Sequence, residues 1–178
     1  MKKLLSRLAT IAALSSLGAC AGPDVTHYAA NTPVFDPAQY FAGKTEAWGM
    51  FQKRSGEVIK RMHVEMTGTV KGNQLVLEEH FTNDDGSKQD RTWTLVRQPD
   101  GSWIGTAGDV IGQGIGRAAG NAFNLRYTLL LPVDGKTYEV QMDDWIFQSD
   151  ADTLLNRTTM SKFGVELGQA TLFFRKTH

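Results

Sequence analysis

The residues with the most chemical potential lie close together in QMDDWIFQSDADTLLNRTTMSKFG, Gln141 to Gly164. Asp143 and Asp144 stand side by side before Trp145, and Arg157 and Lys162 lie among apolar neighbours. Paired carboxylates perform acid–base work when their surroundings push their pKa values apart. Adjacent residues on a strand point to opposite faces, however, so these two cannot share one proton. A structural role is the simpler reading. Strict alternation from Tyr138 through Met142 would turn Asp144 inward and Trp145 and Phe147 outward, a costly arrangement. One extra residue at Asp143–Asp144, a β-bulge, would restore the apolar phase. A two-residue turn at Asp150-Ala151 then sets Asp144 opposite Arg157. Such a cross-strand pair contributes roughly 0.2–1 kcal/mol at a surface.

Other candidates are weaker. His80, in LEEHF, falls opposite Arg91 if Asp85-Gly86 forms a two-residue turn. The four histidines share no metal-ligand spacing, and neither an HExxH nor a GxSxG pattern occurs. No catalytic residue, cofactor or metal is therefore assigned. GDVIGQGIGRAAGNAF, Gly108 to Phe123, has Arg117 where a dinucleotide fingerprint needs glycine. Its Gly112, Gly116 and Gly120 would share one face of a short helix, which suggests a cap over a barrel mouth with Arg117 at its rim; a plain loop is the alternative. Arg126 and Arg157 are candidate lumen charges for an acidic head group, or ordinary outward residues.

The elements that must position these residues read as strands and turns. Asp-Gly pairs at 85–86, 100–101 and 134–135 separate runs rich in Val, Ile, Thr, Leu and aromatics. Nine strands are expected, near 44–52, 57–68, 74–83, 87–98, 102–108, 121–131, 136–148, 153–163 and 166–176. Their spacing predicts an all-β, antiparallel up-and-down meander over 43–178. It closes into a lipocalin-like barrel of about 8–9 strands, with a short Gly-rich helix or loop at 109–120. The four tryptophans lie within strands and read mostly as core. A barrel of this size is just wide enough to be filled by side chains or to hold one small ligand.

The N-terminus gives a compartment. Lys2, Lys3 and Arg7 precede an apolar run, Leu8–Leu17, too short for a bilayer span of about 20 residues. LGAC, ending at Cys20, then completes a secretory signal over 1–19 that resembles a bacterial lipobox. Lipidation would use the single cysteine of the 178 residues. Residues 20–42, with three of the five prolines, read as a poorly structured tether whose aromatic end, Phe35 to Phe41, can dock on the domain. Loss of the leader removes three basic residues and no acidic ones, leaving a net charge of −3. That excludes a basic nucleic-acid surface.

EEHFTNDDG, GTAGDVIGQGIGRAAGNA, RYTLLLPVDGKTYEVQMDDWIF, LLNRTTMSKFGVELG and TLFFRK together resemble an uncharacterised bacterial lipoprotein family, domain of unknown function 3833, from Phe35 to Lys176. The resemblance implies an envelope lipoprotein without an assigned activity. The architecture is also similar to the calycins, although the lipocalin Gly-x-Trp signature is missing. The expected function is binding or carrying an apolar small molecule or lipid in the barrel, with Cys20 holding the chain to the periplasmic face of the outer membrane. Two alternatives stand beside it. One is a lipid-modifying enzyme using Asp143, Asp144, Asp109 or His80; the other is a packed scaffold that binds another envelope protein. Mass spectrometry of the chain from its own cells is expected to show an N-terminus at Cys20 carrying diacylglyceryl and palmitate-type acyl groups. Cys20→Ser is expected to remain unacylated and to leave the membrane fraction.

Overall fold

The computed structural model describes residues 22–133 and 135–177. The leader, Cys20 and Asp134 lie outside the described residues. A 3₁₀ turn at Val25–Tyr28 and helix α1 at Pro37–Phe41 precede ten strands. These are β1 Gly43–Lys53, β2 Val58–Lys71, β3 Gln74–Asn83, β4 Lys88–Arg97 and β5 Trp103–Thr106, followed by β6 Val110–Ala119, β7 Ala122–Val133, β8 Lys136–Gln148, β9 Thr153–Lys162 and β10 Val165–Thr177. Each strand pairs antiparallel with its neighbours in sequence, and β10 closes on β1. The all-β meander barrel is as expected, with ten strands instead of eight or nine.

The additional strand is the glycine-rich segment, which forms β6 where the sequence suggests a helix or loop. Its glycines serve packing. Gly114 and Gly116 are buried, and a Cβ on Gly116 would lie 2.6 Å from the Phe123 ring and 3.2 Å from Trp103. The wall is thin there because large aromatic side chains occupy the space behind it.

Four hairpin connections hold three residues, including those at Asp85-Gly86 and Asp150-Ala151, where two are expected. Asn83 N–H donates to Ser87 O, Gln98 to Ser102, Ser149 to Thr153 and Lys53 to Glu57. In three of them a turn aspartate secures the loop. Asp85 accepts from the Ser87 amide and hydroxyl, Asp100 does the same for Ser102, and Asp150 accepts from Asp152 N–H. Such Asx contacts tighten a turn without requiring the type I′ geometry. The added residue moves the register by one. His80 therefore pairs with Asp90 instead of Arg91, and Asp144 pairs with Thr158 instead of Arg157.

The predicted bulge at Asp143–Asp144 is also absent: β8 keeps an unbroken register with both neighbours through this stretch. Alternation turns Asp144 inward beside Met142 and Ile146, and leaves Trp145 and Phe147 on the outer wall. The N-terminal segment makes this tolerable. Trp145 and Phe147 stack at 5.8 Å, and Tyr28 meets their edges at 5.7 and 5.2 Å.

The aromatic end of that segment, Phe35 to Phe41, docks on the domain as expected, and the 3₁₀ turn at Val25–Tyr28 also packs on the wall, where a poorly structured link is expected. Phe35, Tyr40 and Phe41 are at most 5% exposed and plug the barrel end where β1 begins. Phe35 N–H donates to Gly120 O at 2.8 Å, Tyr40 Oη to Asp152 O at 2.6 Å, and Arg97 to Asp36 at 2.5 Å. Lys176 Nζ donates to the Tyr40 carbonyl at 3.0 Å. Two wall glycines admit the segment's backbone. A Cβ at Gly68 would fall 1.7 Å from the Phe41 carbonyl oxygen, and one at Gly120 would fall 1.8 Å from that of Tyr28. Gly68→Ala is expected to displace the plug and to cost about 1–3 kcal/mol, read from chemical denaturation.

Candidate functional site

Within the largely apolar barrel interior stands a cluster of charged and polar side chains. Alternation places Glu79 on the face of Leu77 and Phe81, Arg91 on that of Trp93, Tyr127 on that of Leu125 and Leu129, and Asn156 and Thr158 on that of Leu154 and Met160. Asp109 enters from the β5–β6 connection. Arg91 donates to Asp109 Oδ2 from Nε at 3.0 Å and from Nη2 at 2.6 Å. Asp144 Oδ1 accepts from Thr158 Oγ1 at 2.9 Å and from Asn156 Nδ2, which also donates to the Trp145 carbonyl at 2.9 Å. Glu79 makes no hydrogen bond among the described residues. Glu79, Asp144 and Asn156 line an interior cavity of about 80 Å³ beneath the α1 plug, walled by Trp93, Phe123 and Phe174.

Burial governs the charges here. It pushes Glu79 up to about 7, with Arg91 opposing and Asp144 and Asp109 reinforcing the rise. Burial also pushes Asp144 up to about 6, against the hydrogen bonds from Thr158 and Asn156 and the attraction of Arg91. The Tyr127 phenol is raised far above its ordinary range by the same desolvation and by Asp144. Desolvation works against the Arg91 charge, but Glu79, Tyr127 and Asp109 outweigh it, and its pKa rises.

Of the residues singled out from sequence, Asp144 and Asp109 join this cluster. Asp143 faces outward as alternation requires, accepting from Asn124 Nδ2 at 2.6 Å and Arg126 Nε at 3.2 Å. Arg126 is thus an outer-wall partner and not a lumen charge. Arg117 is exposed on β6 and lies with Arg126 beside Asp24 of the N-terminal segment, away from any barrel-mouth cap. Arg157 is exposed opposite Trp145. His80 is exposed, its Nδ1 2.8 Å from Asp90, and this contact raises its pKa. Cys20 lies outside the described residues. Among the described residues, no three His, Cys, Asp or Glu are grouped as metal ligands. No described helix is long and apolar enough to cross a membrane.

Sequence reasoning missed Glu79, Arg91 and Tyr127. The signal was present: Leu75, Leu77, Glu79 and Phe81 share one parity, as do Arg91, Trp93 and Leu95. It also counted Trp48 as core. Trp48 is 44% exposed, and its neighbours in register, Phe173 and Leu155, are 41% and 51% exposed. Trp48 stacks on His63 at 5.3 Å and meets Phe173 at 6.4 Å. With Met50 and Leu172 they line a groove of about 640 Å³, open to solvent, across the outer wall of β9, β10, β1, β2 and β3. Polar groups edge it. Arg61 Nε donates to Asp84 Oδ2 at 3.2 Å, and His63 Nε2 lies 3.5 Å from Glu46.

Comparison with known proteins supports the architecture. A family model described as "Protein of unknown function (DUF3833)" matches residues 14–176. No curated protein matches the chain. The S-type phycobiliprotein lyase CPES from Guillardia theta superposes with a TM-score of 0.57 at 7% identity, over 79% of this chain and 91% of that one. Lobster apocrustacyanin A1 gives 0.36 at 13% identity, over 83% and 73%. A redesigned β-barrel, mFAP1, bound to DFHBI, gives 0.44 at 13% identity, over 78% and 97%. At 7% identity the likeness to the lyase is one of fold alone, a closed antiparallel β-barrel.

The raised acids give stability a defined pH dependence. The folded chain holds protons on Glu79 and Asp144 that the unfolded chain, with ordinary values of 4.5 and 3.8, has lost. Their contribution is present in full below those values and is lost as pH rises through about 6 and 7. Glu79→Gln is expected to flatten the parent's decline in Tm between pH 5 and pH 8. At pH 8 it is expected to be the more stable chain, by about 3 kcal/mol at roughly 1.36 kcal/mol per pKa unit.

Proposed function

The chain belongs to the DUF3833 family, and we propose that it is an envelope lipoprotein whose barrel binds an apolar small molecule or the acyl part of a lipid. The outer-wall groove carries this reading. Its volume, about 640 Å³, falls within the roughly 300–1,000 Å³ of ordinary ligand pockets. The interior cavity, about 80 Å³, is far below that range. An acyl chain therefore lies along Trp48, Phe173, Leu155 and Met50, outside the packed lumen. Arg61, Asp84 and His63 at the edge offer polar contacts to a head group. The signal segment and Cys20 would put this surface at the periplasmic face of the outer membrane, next to a supply of lipid.

The packed lumen also favours a second reading, a scaffold barrel that presents the same groove to another envelope protein. Binding of palmitate and of its neutral methyl ester, followed by tryptophan fluorescence, separates the two. Saturable quenching is expected, with affinity at least about tenfold weaker in Trp48→Ala and Phe173→Ala, because each truncation removes a buried aromatic contact of roughly 1.5–3 kcal/mol. Absence of binding, or equal affinity in both variants, would remove the lipid-binding reading and leave the scaffold.

A further inference from the structure

The interior cluster is short of positive charge. Two carboxyl groups, Glu79 and Asp144, line the cavity, while a third, Asp109, and one guanidinium, Arg91, act on them from outside its lining. Arg91 directs both of its hydrogen bonds to Asp109. Asp144 is held through Oδ1 alone, by Asn156 and Thr158. Glu79, shielded inside the barrel, accepts no hydrogen bond from a described residue, yet it lines the cavity together with Asp144. Arg91, opposite Glu79 in register, attracts it but cannot also neutralise Asp109 and Asp144, and a carboxylate left short of positive charge inside the barrel takes up either a proton or a further cation.

The cavity walls indicate which cation. Trp93, Phe123, Phe174 and Phe41 surround the two acids, and aromatic faces attract organic cations. A metal ion would find too few ligands, since no group of three acidic, His or Cys side chains converges among the described residues. With liquid water occupying about 30 Å³ per molecule, roughly 80 Å³ admits two or three groups of that size. We propose that the cavity beneath the plug is a binding site for a small alkylammonium group, its nitrogen between Glu79 and Asp144 and its methyl groups against Trp93, Phe123 and Phe174. The site is separate from the wall groove and does not depend on it. Access requires α1 to lift, because Pro37 and Phe41 form its roof.

The facing charged and titratable groups are Arg91 from β4, Asp109 from the β5–β6 connection, Tyr127 from β7 and Asp144 from β8; β9 contributes only neutral Asn156 and Thr158. Binding should therefore strengthen as Glu79 and Asp144 lose their protons. The test is thermal unfolding of the full chain with methylammonium or dimethylammonium chloride against sodium chloride of equal ionic strength, at pH 5 and pH 8. At pH 8 the amines are expected to raise Tm by about 5 °C or more near a hundredfold excess over Kd, with a much smaller rise at pH 5. Glu79→Gln/Asp144→Asn, which keeps shape, is expected to abolish the difference between amine and sodium. Equal Tm values in amine and sodium at both pH values would overturn the proposal. So would a rise that persists in the double variant, which would place the amine elsewhere.

Discussion

Alternation along β8 is the constraint around which the rest of the molecule is arranged. Each residue must face in or out, and DDWIF puts a carboxylate on the inward side and two aromatic rings on the outward side. A bulge would have reversed both, at the cost of an unpaired residue in a ladder that closes the barrel. The strand instead runs without interruption, and both consequences are compensated locally. Asn156 and Thr158 on β9 hydrogen-bond to Asp144. Tyr28, from a segment more than a hundred residues earlier in the chain, packs against Trp145 and Phe147.

The N-terminal segment is therefore part of the fold and does more than connect. Its 3₁₀ turn covers the outer rings, its backbone crosses the wall at Gly120, and its helix enters the barrel mouth over Gly68. Arg97 links these contacts to the core, pairing with Asp36 of the plug while lying over the Trp103 ring at 4.7 Å. Any pull on the N-terminus would be transmitted through the plug to the roof of the interior cavity. Anchoring at Cys20 would give that mechanical continuity a physiological setting.

The barrel was legible in the sequence because period-two patterning and Asp-Gly turns are local signals. Register was not, because it depends on loop length by single residues. An Asp-Gly pair reads equally as a two-residue turn or as the end of a three-residue one; here the side chains of Asp85 and Asp100 select the latter through Ser87 and Ser102. That single residue exchanges the partners of His80 and Asp144. The glycine-rich strand misled for a different reason. Its glycines look like flexibility or a helix face until Trp103, Phe123 and Tyr127 are known to lie behind them, and that is tertiary information. Glu79 and Arg91 were readable from parity, but a charged residue within an apolar parity is easily taken for an exception.

The interior acids bear on what the barrel is for. A closed meander filled by leucine, phenylalanine and methionine needs no carboxyl at position 79, and a neutral or apolar side chain there would avoid the desolvation that raises its pKa. Asp144 differs in kind: with Asn156 and Thr158 in place it could be retained as a rigid structural unit. Glu79 has no such set of donors: Arg91, opposite it in register, attracts it but donates its hydrogen bonds to Asp109. Packing therefore accounts for Asp144 and fails to account for Glu79. A group that lowers stability, lacks a donor and borders a cavity is best explained by something that enters the cavity, be it a proton or a larger cation. Asp109 points the same way, because its Oδ1 is buried without a partner even while Oδ2 holds Arg91. The shortage of positive charge is thus shared by the whole interior and is not an accident of one side chain.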